Sequence, residues 1–377
     1  MIRVSERILI CGNEAMAEAA VIAGCDAYFG YPITPQNEVS AYMSRRMPEM
    51  NRVFVQCESE LAAVNMVFGA SATGKRTMTS SSSPGISLMQ EGISYLAGAE
   101  LPAVIVNVMR GGPGLGNIAP SQSDYFQATR GGGHGDYRTI VLAPWSVQEI
   151  ADMTQLAFDL ADMYRITVMI LADGILGQMM EPAVLEKKPS PKLPKKDWAL
   201  TGAAGRKQNI VRSLLLAEGA LEEHNIKLQD KYKQIQKNEV RCEQFGTDDA
   251  DIIVIAYGIA ARIVRSAVDV CRKKGIKAGW IRPMTLWPFP SEQIAAAVTA
   301  TSSSTAEAST KAATAPEKSR NTKFLVVEMS CGQMIDDVRL AINGKAEIDF
   351  HGRPGGGVPT VDEISEKIIQ LSCEKVA

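Results

Sequence analysis

The stretch AVIVNVMRGGPGLGN, residues 103–117, decides how the chain is read. Its first seven residues are apolar except Asn107 and lack the alternation of a strand with one wet face. That pattern belongs to a strand of a parallel sheet covered on both sides. The strand ends in Arg110 and a loop with four glycines. Working outward, β-rich runs recur at DAYFGY (26–31), RVFVQC (52–57), TIVLA (139–143) and ITVMILA (166–172), with helical periodicity between them at 58–72 and 146–163. Alternating strands and helices over residues 1–185 predict an α/β unit with a parallel sheet. Such sheets bind ligands beyond the carboxyl ends of their strands, which brings forward the loops at 31–36, 57–60 and 109–118.

Beyond this unit, residues 186–198 read EKKPSPKLPKKDW, with three prolines and five lysines. No packed element forms from that composition. A solvated linker is the plainer reading, a docking strip for an acidic partner the other. Residues 206–240 read as one long helix, with Ile210, Leu214, Ala217, Leu221, Leu228 and Ile235 on a stripe expected to pack across the first unit. Residues 186–250 are therefore taken as linker and long helix. A second α/β unit covers 251–377, with strands at DIIVIAYG, KAGWI, KFLVVE and AEIDF and helices at 259–274, 333–343 and 361–372. Within it, 299–322 is rich in Ser, Thr and Ala and reads as a flexible insertion.

The 377 residues are 46% hydrophobic and 22% charged, with a net charge of −2. This is a globular composition. It gives no basis for nucleic-acid or anionic-membrane binding, and no run is long enough to span a bilayer. With no secretory pattern at the N-terminus, a cytoplasmic protein is expected. The seven cysteines lie far apart without a CxxC, and His134, His224 and His351 are scattered. Neither an iron–sulfur cluster nor a structural metal is expected on this chain.

Three motifs carry candidate chemistry. In YPITPQ (31–36), Thr34 followed by Pro35 reads as a helix start, with Thr34 the cap and Pro35 the first helical residue. The same position at a strand end can hold an anion. In CESELAAVNMVFGAS (57–71), Glu58 and Glu60 open an apolar helix, and first-turn dipole stabilisation accounts for Glu58. Glu60, followed by Leu, Ala, Ala and Val, is expected to be partly buried, where a carboxyl group can share a proton with a bound ring nitrogen. In the glycine loop, Arg110 offers a planar fork for a carboxylate; a structural salt bridge explains it equally well. GLGNIA (114–119) spells a dinucleotide fingerprint, but its strand ends too early and Pro120 stands where helix is required, so a nicotinamide site is disfavoured. TSSSSPG (79–85) and GRPGGGVPT (352–360) read as tight turns, and His134 in GGGHGD suggests catalysis only through its glycine setting. No GDG with a distant Asn, the usual anchor for magnesium and a diphosphate, is present.

In this order, GNEAMAEAAVIAGCDAYFGYPITP, ESELAAVNMVFGAS, TSSSSPGISLMQEG, RGGPGLG and the second α/β unit resemble the alpha-type subunit of the 2-oxoacid:ferredoxin oxidoreductases over nearly the whole chain. The run from RGGPGLGNIAPSQSDYFQAT to GGGHGDY is most similar to the branched-chain type, 3-methyl-2-oxobutanoate dehydrogenase (ferredoxin), with 2-oxoglutarate and pyruvate types as alternatives. The insertion at 299–322 departs from the family pattern. The resemblance implies a pyrimidine-binding thiamine-diphosphate domain followed by a transketolase-C-terminal-like domain. It also implies oxidative decarboxylation with coenzyme A to acyl-CoA, CO2 and reduced ferredoxin. It assigns Glu60 to the aminopyrimidine of thiamine diphosphate, Thr34 and Arg110 to the substrate carboxylate, and Pro32 to the same wall. The cofactor would be shared with a beta-type subunit that carries the diphosphate anchor and magnesium. A gamma-type and a ferredoxin-like subunit complete the complex, with iron–sulfur clusters on the partners. Two rivals stay open: a transketolase-like group transferase needing no cluster-bearing partner, and a non-catalytic scaffold subunit.

Overall fold

The computed structural model describes residues 6–303 and 322–373. The first part of the chain runs β1 (Ile8–Cys11), α1 (Gly12–Ile22), β2 (Ala27–Gly30), α2 (Asn37–Glu49), β3 (Val53–Gln56), α3 (Glu60–Ala72), β4 (Thr77–Ser81), α4 (Ser83–Gly98), β5 (Ala103–Met109), α5 (Tyr125–Thr129), β6 (Ile140–Leu142), α6 (Val147–Tyr164), β7 (Thr167–Asp173), α7 (Gly174–Gln178) and β8 (Met180–Ala183). The second runs α8 (Ala220–Asn238), β9 (Cys242–Phe245), β10 (Ile252–Ile255), α9 (Gly258–Lys273), β11 (Ala278–Pro283), β12 (Thr285–Trp287), α10 (Ser291–Ser303), β13 (Lys323–Glu328), α11 (Met334–Ile342), β14 (Ile348–Gly352) and α12 (Val361–Cys373).

β5 and β7 are buried at every residue, which is why they read as unbroken apolar runs. They lie side by side in a sheet of order β12-β6-β7-β5-β4-β2-β3. All neighbours in it are parallel except β12, which joins β6 antiparallel. Around it α1 packs on α2 and α6, and α3 packs on α4. The second sheet has the order β14-β13-β10-β11-β9, parallel but for β9. β1 and β8 form a separate antiparallel pair.

Three expectations fail here. The segment read as a turn, TSSSSPG, is instead the end of β4 followed by the start of α4. β4 is wholly buried between β2 and β5; short hydroxyl side chains fit that crowded centre, and their polarity mimics a turn. The long helix is shorter than expected. α8 begins at Ala220, behind Gly219 at φ +75°, and ends at Asn238. That left-handed residue breaks any helix arriving from residue 206. Ile210 and Leu214 are consequently 71% and 65% exposed, while Leu228, Tyr232 and Ile235 are buried. α8 packs across the first unit as expected: His224 Nε2 meets the Gly98 carbonyl at 2.8 Å, and Lys231 Nζ donates to Glu100 at 3.1 Å. The third failure, at Thr34, belongs to the site. The expected insertion at 299–322 lies, for residues 304–321, outside the described residues.

Candidate active site at the ends of the central strands

Glu60 is the first residue of α3, and Ser59 caps that helix by accepting from Ala62 N. Glu58 precedes the cap and is exposed, outside the helix it was expected to open. Glu60 is 4% exposed, and its carboxylate accepts from the Ser81 hydroxyl at a long 3.4 Å. Gly85, at the start of α4, faces it so closely that a Cβ there would stand 2.4 Å from Glu60 Oε1 and 2.0 Å from Ser81 Oγ.

Thr34 lies on the loop after β2, and Pro32 on the same loop is exposed. The structure corrects the capping role: α2 starts only at Asn37, with Gln36 at the cap position and no side-chain cap. The Thr34 hydroxyl instead accepts from Asn37 Nδ2 at 3.2 Å. The loop is tied down from beneath. Buried Asn13 donates to the Pro35 carbonyl and to Glu38, both at 2.8 Å. Ser80 donates to Gln36 Oε1 at 2.6 Å.

Arg110 is 9% exposed and makes no salt bridge among the described residues, which removes the structural ion pair as its explanation. Nη1 donates to the Thr34 carbonyl at 3.0 Å and Nη2 to the Leu115 carbonyl at 3.3 Å. A guanidinium has five N–H groups, so three remain, and Nε is buried without a partner. The main chain of Arg110 meets Ser83, whose Oγ accepts from Arg110 N at 3.0 Å. Thr34 and Arg110 are thus directly joined, and the segment 81–85 touches both Glu60 and Arg110.

Sequence reasoning missed this junction and two residues behind it, Asn107 and Asp124. The Asp124 carboxylate accepts from Ser83 Oγ at 2.5 Å and Asn107 Nδ2 at 2.9 Å. Burial pushes its carboxyl group upward, against the pull of those two donors. The visible signal was Asn107, a polar residue inside an apolar strand. Beside these groups opens a cleft of about 710 Å³, lined by Ser83, Gly112, Asp124, Cys331 and Pro354. Glu60, Thr34 and Arg110 lie behind this wall rather than in it, with Ser83 and Gly111 as their neighbours there; a larger cleft of about 840 Å³ lies between residues 130–138 and α8. His134 lines a third pocket beside Tyr95, away from them. GLGNIA is a largely exposed loop that does not open a helix, the next one, α5, starting only at Tyr125, contrary to a dinucleotide site. Among the described residues no group of three or more His, Cys, Asp or Glu is arranged to hold a metal, and no helix is long and apolar enough to cross a membrane.

Residues 18–244 match the family described as pyruvate flavodoxin/ferredoxin oxidoreductase, thiamine diphosphate-binding, and residues 250–312 match pyruvate:ferredoxin oxidoreductase core domain II. The chain is an alpha-type subunit of the 2-oxoacid:ferredoxin oxidoreductase family. A ketoisovalerate oxidoreductase subunit VorB of Methanothermobacter marburgensis is 49% identical to this subunit, over 97% of its length and 98% of the relative's. A 2-oxoglutarate synthase subunit KorA of Methanothermobacter thermautotrophicus is 36% identical over 98% and 100%. In structure the subunit resembles the 2-oxoglutarate:ferredoxin oxidoreductase of Magnetococcus marinus, with TM-score 0.83 and 26% identity over 97% of this chain. The subunit spans 65% of that longer chain. Its fold is therefore the α/β thiamine-diphosphate-binding pyrimidine type followed by a transketolase-C-terminal-like α/β unit.

Proposed function

We propose that this chain forms the pyrimidine-side half of a thiamine-diphosphate site that oxidises a branched-chain 2-oxoacid, 3-methyl-2-oxobutanoate, to an acyl-CoA and CO2. Coenzyme A takes the acyl group, and electrons pass to ferredoxin. A beta-type subunit holds the diphosphate and magnesium, gamma-type and ferredoxin-like subunits complete a cytoplasmic complex, and the iron–sulfur clusters sit on the partners. The observation that carries the reading is Glu60: a buried carboxyl at the first residue of α3, beyond the sheet's carboxyl edge, seated in space that only a glycine at position 85 leaves open. The weak 3.4 Å contact from Ser81 leaves the group free to engage a better donor.

When bound, thiamine diphosphate supplies the carbon nucleophile that adds to a 2-oxoacid and takes up the electrons released with CO2. Glu60 then holds or exchanges a proton with the ring nitrogen of the aminopyrimidine. Arg110 offers the substrate carboxylate N–H groups that its two carbonyl contacts leave unused, and Thr34, fixed to it through its carbonyl, adds its hydroxyl. Pro32 closes the same wall with apolar surface. The branched-chain assignment is supported by the identity of 49% to a ketoisovalerate oxidoreductase subunit, against 36% to a 2-oxoglutarate one.

The test is the reconstituted complex, assayed with several 2-oxoacids and a viologen acceptor. Glu60→Gln should lower turnover by roughly 100- to 10,000-fold and slow hydrogen–deuterium exchange at thiamine C2. Glu58→Gln is the control, with both quantities unchanged. Normal exchange in both variants removes Glu60 from the chemistry, and a higher kcat/KM for 2-oxoglutarate overturns the substrate.

A further inference from the structure

We propose that Asp124 is a positioning residue that, through Ser83 and Asn107, sets the main chain from which Arg110 reaches the substrate. The inference rests on the reading of Arg110 as a carboxylate ligand. Arg110 is the last residue before a loop in which 112–118 are all exposed, and its main chain is held by β5 on one side and by a bridge to Pro120, where the loop returns, on the other. A further constraint comes from side chains. Arg110 N donates to Ser83 Oγ at 3.0 Å, and Ser83 N donates to Asn107 Oδ1 at 3.0 Å. Asp124 Oδ2 accepts from both Ser83 Oγ and Asn107 Nδ2, closing a ring between the end of β5, the start of α4 and the returning loop.

The Ser83 hydroxyl has one proton and two acceptors in reach, Asp124 at 2.5 Å and the Arg110 carbonyl at 3.3 Å. The shorter, charge-assisted bond takes it, which turns a lone pair toward Arg110 N. Without Asp124 that proton swings to the Arg110 carbonyl, and the hydroxyl's orientation toward Arg110 N is lost. Among the described residues Asp124 forms no ion pair, and it lines the 710 Å³ cleft.

The assembled enzyme, assayed with 2-oxoacid and viologen, tests this. Asp124→Ala and Ser83→Ala should each raise KM for the 2-oxoacid by roughly 10- to 100-fold, with kcat and thiamine C2 exchange near wild type. Asp124→Asn, which keeps an accepting oxygen, should restore KM to within about threefold. The double variant Ser83→Ala/Asp124→Ala should be no worse than either single one, since the two act as one unit. If Arg110→Met raises KM and Asp124→Ala does not, the inference fails while the carboxylate assignment stands. If Arg110→Met leaves KM unchanged, that assignment fails and takes this inference with it. Loss of kcat, C2 exchange and KM together means a structural role and overturns the proposal. Should Asp124→Ala not assemble, Ser83→Ala decides by the same criteria.

Discussion

Gly85 is needed for the space it leaves. Its φ lies outside the left-handed region, so its backbone freedom is idle; what matters is the absent carbon, which would strike Ser81 Oγ and Glu60 Oε1. Gly85→Ala should displace the Glu60 carboxyl by about an ångström and lower turnover on the order of 100-fold, with C2 exchange slowed in parallel. Normal exchange in that variant would mean that the crowding is relieved elsewhere. The sequence made Gly85 visible as a turn glycine, for the wrong reason. It made Glu60, Thr34 and Arg110 visible as candidates because each stands just after a strand-like run. Asp124 was not visible, since thirteen residues separate it from Arg110 and only the chain's return brings them together.

At the scale of elements, α8 and Asp173 each join parts distant in sequence. α8 docks through Leu228, Tyr232 and Ile235, so Leu228→Ala should cost about 2–5 kcal/mol. Leu214→Ala, in the irregular segment before it, should stay within about 0.5 kcal/mol. Urea unfolding of the two variants checks this, and equal losses would favour the longer helix. Asp173, 1% exposed at the end of β7, accepts from Ile175 N and Leu176 N and receives the Ile259 amide at the start of α9. Burial raises its carboxyl to about 6 despite these donors. A carboxyl raised on folding takes up a proton, so its contribution to stability falls as pH rises from about 4 to about 6 and is flat above. Relative to Asp173→Asn, the wild type should lose up to about 3 kcal/mol across that window. A difference that is constant with pH would show Asp173 charged throughout. Helix periodicity was legible for α9, α11 and α12. In 206–219 the apolar spacing was equally helical, but Gly219 prevailed over it.

On the scale of the whole molecule, the two sheets are interlocked. β12, from the second half of the chain, completes the first sheet against β6, and one apolar cluster runs from Val104 and Ile170 through Leu286 to Phe324 and Met329. Buried Gln122 is the polar counterpart: it donates to the Tyr257 carbonyl at 2.9 Å and accepts from Met329 N at 3.0 Å. Gln122→Ala strands two buried backbone groups and should cost about 2–5 kcal/mol. The chain should unfold in a single transition whose midpoint falls in this variant with an unchanged m value. Two separate transitions would mean that the halves are independent.

The sequence by itself determined the alternating α/β order, the buried central strands and the candidate loops at their carboxyl ends. These follow from local spacing: a strand covered on both faces must be apolar throughout, and a parallel sheet exposes its ligand-binding loops at one edge. Only the tertiary structure decided that β4 is a central strand, that β12 crosses to the other sheet, and that Ser83, Asn107 and Asp124 close a ring behind Arg110. Those depend on which polar groups find partners once buried. That is a matter of distances between segments far apart in the chain, and a buried serine and a turn serine are the same letter.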